Sequence, residues 1–491
     1  MAPRAVRARG QRASSQAVSS LVDSLPPSIL VQVLTHLSQT HRVHAAEVCR
    51  SWREATLSPS LWTSVKFILP SDDDEGTAEA FLSWLLPRAS AVDSLTVDIQ
   101  EATAPTSDFV VGVMSNLTAA MMAVRSSLRH LTLETPGCLV VGQWAAALQG
   151  LVTACFIGGD VHVKQGLGKL ARLRELEFGS NNQELEVEAP ACLPPGITHL
   201  SLEHCCLATV PDCITRLSKL RSLDLSQNTF VDDEGIETSA LSALTGLECL
   251  KLANCRLVTG LPSSRALGGS GRLRVAAAPA SPAGLPACRV PTELSSLRRL
   301  RILHMGGNLE REDAEEEDGE MLEAALRTLR NLKVLVISQC NVLLPDAVRR
   351  MGKLERLFVT STPVVSLSSG PYCKSLRHLC VDWDVAFESA AMLEHCAVME
   401  MLTLARPLRS DVPDGQVEER TQELTAVLLR HPSLKQVNIV AVEGRGLHFS
   451  ISTMRFVLAL QASLAPSLRL ELIDSWDSDL VRIPNLLDFT E

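Results

Sequence analysis

A chain of 491 residues is too long for one ordinary compact domain and is built either of a few domains or of one elongated array. Hydrophobic residues at 46% and charged residues at 21% mark a folded chain, while aromatics at 4%, with a single tyrosine, argue against a large conventional enzyme core and for one filled by repeated aliphatic side chains. The formal net charge of -10, with no basic stripe beyond the first residues, speaks against nucleic acid, and no run of about 18 apolar residues marks a membrane span.

In chain order, residues 1–20 come first. They hold Arg4, Arg7, Arg9, Arg12, several serines and no acid. This composition reads either as a disordered basic tail or as an organelle transit peptide. From Leu25 the text changes. Pro26 and Pro27 suit the first turn of a helix, where a missing N–H costs nothing. Ile29, Val33 and Leu37 then recur at four-residue steps beside Leu30 and Leu34, which predicts a helix of about three turns. A second helix is expected over His41–Thr56, with Ala45, Val48, Cys49 and Trp52 inward. Ser58-Pro59 ends it, and Leu61-Trp62 closes the unit.

That order of residues, spaced in this way over 21–67, resembles the F-box family. The resemblance implies a three-helix unit that docks on a Skp-type adaptor, which joins a cullin scaffold and a RING subunit. It carries the adaptor-binding role to Leu25, Pro26, Ile29, Leu30, Val33, Leu34, Leu37, Val48, Cys49, Trp52, Leu61 and Trp62. So short a unit cannot bury all this apolar surface alone, so part of it must meet a partner. Which residues face the partner is not written in the spacing.

Residues 68–90 read as an acidic linker, "PSDDDEG", and an entry helix. From 91 to 485 a leucine-rich-repeat pattern takes over, in about 13 copies. Leu220-x-x-Leu223-x-Leu225-x-x-Asn228 is the best formed. The same form starts at Leu173, Ile197, Leu247, Leu300 and Leu332, ending on Asn181, Cys205, Cys255, Asn308 and Cys340. Copies at Leu354, Leu376 and Met399 keep the apolar positions and lose the Asn or Cys. Weaker ones begin near Val92, Leu128, Leu151 and Leu434. Starts at 128, 151, 173, 197 and 220 step by a period in the low twenties, which is that of the leucine-rich family. The recurring Asn or Cys suits a turn whose backbone would otherwise be buried unpaired. The expected fold class is therefore α/β: an N-terminal three-helix F-box followed by a curved leucine-rich-repeat solenoid.

Two segments break the rhythm. Residues 263–291 are rich in Gly, Ala, Pro, Ser and Arg. Removing them restores a repeat-length step, so they read as an in-phase insertion, either a disordered loop or retained non-coding sequence. Residues 309–320 read as an acidic loop.

Other motifs carry little. "GLGKLA" at 166–171 falls in phase with the repeats and reads as a turn, and the sequon at Asn116 matters only in a secreted protein. The fourteen cysteines show no Cys-x-x-Cys and no zinc spacing, so reduced thiols in the cytoplasm or nucleus are expected. No metal, cofactor, catalytic grouping or membrane contact is implied. The outward positions of the strands are the place for a client. Glu177, Glu203 and Asp224 make the early wall acidic. Val336, Arg356, Phe358, His378, Asp382 and Trp383 make the later wall more apolar, with residue types common in binding hot spots.

The function implied is a non-catalytic substrate-recognition adaptor of an SCF-type ubiquitin ligase, with an unidentified protein substrate. The alternatives are a leucine-rich scaffold without a ligase, and a receptor in which a small molecule completes the substrate pocket.

Overall fold

The computed structural model describes residues 25–69, 75–100, 107–135, 137–180, 185–188, 193–207, 210–232, 239–253, 255–259, 292–306, 316–338, 344–405, 414–440, 457–458 and 468–473. Helices α1 (Pro27–Thr35), α2 (Gln39–Val48) and α3 (Arg50–Thr56) come first, followed by a 3-10 turn at Pro59–Leu61. Then follow β1 (Ser64–Leu69), α4 (Glu75–Leu85), β2 (Ser94–Ile99), α5 (Ser107–Val124), β3 (His130–Thr135), β4 (Leu139–Val141), β5 (Thr153–Gly158), β6 (Val161–Val163), β7 (Glu175–Ser180) and β8 (Leu185–Val187). Next are β9 (His199–Ser201), β10 (Ser222–Asp224), β11 (Thr229–Asp232), α6 (Ser239–Ser242), β12 (Cys249–Lys251), β13 (Arg256–Thr259), β14 (Ile302–His304), α7 (Glu316–Thr328), β15 (Val334–Val336), α8 (Asp346–Arg349) and β16 (Arg356–Val359). The last are β17 (His378–Asp382), α9 (Trp383–Glu388), α10 (Ala390–Leu393), β18 (Met401–Ala405), α11 (Asp414–Arg430), β19 (Gln436–Val440) and β20 (Arg469–Ile473). The chain divides into two compact units, residues 1–176 and 177–491.

In the first unit β1, β2, β3 and β5 pair in parallel, in chain order. Side chains alternate along each strand, so Val65, Phe67 and Leu69 turn inward while Ser64, Lys66 and Ile68 turn out. Parallel neighbours need a crossover, and α4 and α5 supply the first two. The sheet begins earlier than the repeat pattern does: β1 lies at the end of the stretch assigned to the helical unit. A single alternating strand with no leucine-rich consensus gives no repeat signal.

In the second unit β9, β10, β12 and then β14 to β20 pair in parallel, again in chain order. Their register lines up Leu200, Leu223, Leu250, Leu303, Leu335, Leu357, Leu379 and Leu402, all buried. This is a leucine-rich-repeat solenoid: each repeat buries its apolar face only against the next. Asn228, Cys205 and Cys255 close its turns, while Asn181, Asn308 and Cys340 lie outside the described residues. Asn228 Oδ1 accepts from the backbone N–H of Cys205 at 3.0 Å and of Leu207 at 3.1 Å. Its Nδ2 donates to the carbonyls of Leu202 and Leu225, both at 2.8 Å. Cys205 Sγ donates to Phe178 O and Cys255 Sγ to Leu225 O, each at 3.2 Å. Burial pushes both thiols up, Cys255 to about 12, so they stay protonated donors.

Two sequence expectations change. The second helix does not run through to Thr56. Cys49 is extended, at φ -160° and ψ 175°, and caps a separate α3. Arg53 Nε donates to Ala46 O at 3.0 Å, which occupies a carbonyl near the break. The acidic stretch 309–320 is not loop throughout: 316–320 open α7. Residues 309–315 lie outside the described residues, as do 1–24, 70–74 and the expected insertion 263–291. Finally, β12 and β14, on either side of that insertion, pair directly, with Cys249 opposite Ile302.

Candidate functional site

Helix α1 is apolar on two sides. Leu30 and Leu34 are 2% and 1% exposed and pack inward, while Leu25, Ile29 and Val33, one turn apart, are 38%, 41% and 43% exposed. Val48, expected inward, is 65% exposed because α2 ends there and the chain turns extended at Cys49, and Val43 and Leu57 also face water. Trp52 is half-buried, and its indole N–H finds no acceptor. A helix this short needs one apolar side to fold. A second one keeps branched aliphatic residues in water, which that folding does not require.

Residues 22–68 match the F-box-like family model. The N-terminal helices are an F-box-like domain. No curated protein matches the chain in sequence. Among solved structures, a leucine-rich-repeat protein of Leptospira interrogans is similar at 14% identity and a TM-score of 0.44, covering 83% of this chain and 89% of that one. The mouse RP105/MD-1 complex is similar at 14% and 0.44, covering 84% of this chain and 64% of its own. Internalin C2 of Listeria monocytogenes is similar at 17% and 0.31, covering 49% and 83%. Such distant likenesses carry no functional argument. The chain's own topology makes it an F-box-like domain followed by a leucine-rich-repeat solenoid.

Of the matched positions, the F-box turns Leu30, Leu34, Leu61 and Trp62 inward, leaves Leu37 and Cys49 half-buried, and exposes Leu25, Pro26, Ile29, Val33 and Val48. Residues that sequence reasoning passed over hold it in place. Arg42 donates through Nε to Leu34 O at 2.9 Å, through Nη2 to Thr35 O at 3.0 Å and through Nη1 to Leu61 O at 2.6 Å. One guanidinium thus caps the end of α1 and ties it to the 3-10 turn. Gln39 reaches from α2 to the outer edge of β1. Its Nε2 donates to Lys66 O at 2.6 Å and its Oε1 accepts from Lys66 N at 2.8 Å. Trp62 Nε1 donates to Thr56 O at 2.6 Å, and its ring meets Trp84 of α4 edge-on at 4.8 Å. The Arg88 guanidinium lies 4.5 Å from the Trp84 ring and 5.4 Å from Trp62. No sequence signal separated these polar residues from surface ones, because their partners are backbone atoms or rings far along the chain.

The wall residues of the second unit divide in two. Glu177 is exposed, and Glu203 and Asp224 are half-buried. Asp224 pairs with Lys251 at 3.1 Å, and Gln227 Nε2 donates to Glu203 at 2.8 Å. The later set is not the open apolar wall expected from sequence: Val336, Phe358, His378 and Trp383 are at most 7% exposed. The register explains this. Val336, Phe358 and Cys380 sit opposite one another on adjacent strands, about 5 Å apart, and shield each other. Phe358 also meets the His378 ring edge-on at 4.9 Å, and His378 Nε2 bonds Thr403 Oγ1 at 2.9 Å. Burial, with the charge of Arg356, pushes His378 down to about 3. Trp383 starts α9 and packs on Phe387. Arg356 and Asp382 are half-buried, and Asp382 Oδ2 accepts from Ser361 N at 2.7 Å. Among the described residues no His, Cys, Asp and Glu group could hold a metal ion, and no helix is long and apolar enough to cross a membrane.

Proposed function

We propose that this chain is the substrate-recognition subunit of an SCF-type cullin-RING ubiquitin ligase. The F-box seats on a Skp-type adaptor, and through it on cullin and RING subunits, in the cytoplasm or nucleus. The solenoid holds a protein client. The chain is not the catalyst. It raises the effective concentration of a client lysine beside a charged ubiquitin carrier. The observation that supports this reading most is the exposure of Leu25, Ile29, Val33 and Val48: four positions of the matched family whose apolar side chains the domain leaves in water. Co-purification tests it. The full chain should capture a Skp-type adaptor, and Ile29→Asp with Val33→Asp should abolish the capture while the melting temperature holds. Capture of clients without any adaptor would make the chain a scaffold and overturn the ligase role.

A further inference from the structure

Charge is spread unevenly over a chain whose net charge is -10. Strands β14 to β17 are parallel and in register, so the turns that lead into them share one edge of the sheet. Those turns carry Arg298 and Arg299, then Arg330, then Arg350 and Lys353, then Lys374. All six are exposed. Among the described residues none pairs with a carboxylate, whereas the acids close by are taken: Glu355 by Lys333 at 2.6 Å and Glu323 by Arg327 at 2.8 Å. Six like charges held side by side repel one another, and an anion relieves that repulsion.

The rim is also braced. Asn331 Nδ2 donates to Arg298 O at 3.2 Å, and Lys353 Nζ donates to Asn331 Oδ1 at 2.8 Å, so one carboxamide links three successive turns. Thr328 Oγ1 donates to Ser295 O at 3.1 Å and Ser375 Oγ to Leu354 O at 2.8 Å, each bridging neighbouring turns. The cations are carried on turns already fixed relative to one another, which lowers the ordering cost of binding.

The patch has ends. On one side Glu248 sits between Arg221 and Arg301, and on the other Glu400 between Arg377 and Lys435. The turns there, Thr245-Gly246 and Ala397-Val398, are uncharged. Four strands at about 5 Å spacing give a footprint of roughly 15 Å, the span of about five extended residues. A nucleic acid, with a phosphate at every nucleotide, would run past both ends onto turns that carry no cation.

We infer that this rim captures a short acidic segment of the client protein. The inference rests on the reading that the solenoid is the client-binding part, and it names the chemistry the client must present. A labelled hexaglutamate peptide titrated against the full chain, followed by fluorescence polarisation at low salt, tests it. Saturable binding is expected, weakened at least about tenfold by Arg299→Glu with Arg330→Glu and, in the wild type, by raising salt to 300 mM. Both side chains lie in water, so the melting temperature of the variant should hold. Equal affinity in the variant, no saturation below millimolar protein, or tighter binding of a twelve-nucleotide single-stranded RNA would each overturn the proposal. Adaptor capture measured on the same preparations separates the two readings. Peptide binding without capture counts against the ligase role alone, and capture without peptide binding counts against the rim alone.

Discussion

Asn228 and the buried histidines show how much single side chains carry in a repeat array. The Asn228 carboxamide is fully used by backbone of two successive turns. Asn228→Ala should lower the unfolding free energy by about 3 kcal/mol or more, since it leaves several buried peptide groups unpaired. Urea denaturation checks this, and a loss under 1 kcal/mol would show that water replaces the side chain. Burial pushes His304 down to about 4 and His378 to about 3. Both therefore stay neutral in the folded chain where the unfolded chain, with an ordinary value near 6.5, takes up protons. Their stability contribution is present above pH 6.5 and is lost as pH falls below it, by about 2 kcal/mol for each ring at pH 5. His378→Leu should flatten the fall between pH 7 and 5, and an unchanged slope would place the proton uptake elsewhere. The roles of Asn228, Cys205 and Cys255 were legible in the sequence because a fixed offset from a leucine pattern marks them. The burial of Phe358 and Val336 was not, because alternation along a strand says which side a residue takes and nothing of what neighbouring strands put beside it.

Within α1, adjacent residues have opposite tasks. Leu30→Ala empties part of a packed interior and should cost about 2–4 kcal/mol of stability, whereas Ile29→Ala should cost less than about 0.5 kcal/mol. The order should reverse for adaptor capture, with Ile29→Ala weakening it about tenfold and Leu30→Ala acting only through the folded fraction. Thermal melts and pull-downs on the same two variants check both halves. A large stability loss for Ile29→Ala would mean that this face packs within the chain. The helix itself was readable, since the proline pair and the four-residue steps are local. Its two apolar sides were not distinguishable, because both are made of Leu, Ile and Val, and only the positions of α3 and the 3-10 turn decide which side is inside. The break at Cys49 was equally silent, because no proline or glycine marks it.

At the scale of the whole molecule, the direct pairing of β12 with β14 makes residues 263–291 a test of the repeat reading. A chain lacking them should fold, and should gain roughly 0.5–1 kcal/mol because a shorter connection costs less to close. Circular dichroism melts of the two chains check this, and a collapse in melting temperature on deletion would mean that the segment packs into the array. The array was legible because its period repeats many times over. Its first strand was not, since β1 precedes any repeat consensus.

That first strand has an outer edge, and Gln39 covers it with a carboxamide that gives and takes one hydrogen bond, as a peptide unit would. The side chain acts as a stopper on a stack that has no reason of its own to end. A fragment that begins after the helices would present a bare strand of alternating apolar residues, ready to accept the edge of another molecule. Removing the F-box to test the proposed ligase recruitment would thus make a second change as well, opening a strand edge that can seed a filament. A cell phenotype from such a fragment would report self-assembly as readily as a lost ligase, whereas Ile29→Asp with Val33→Asp leaves the stopper in place.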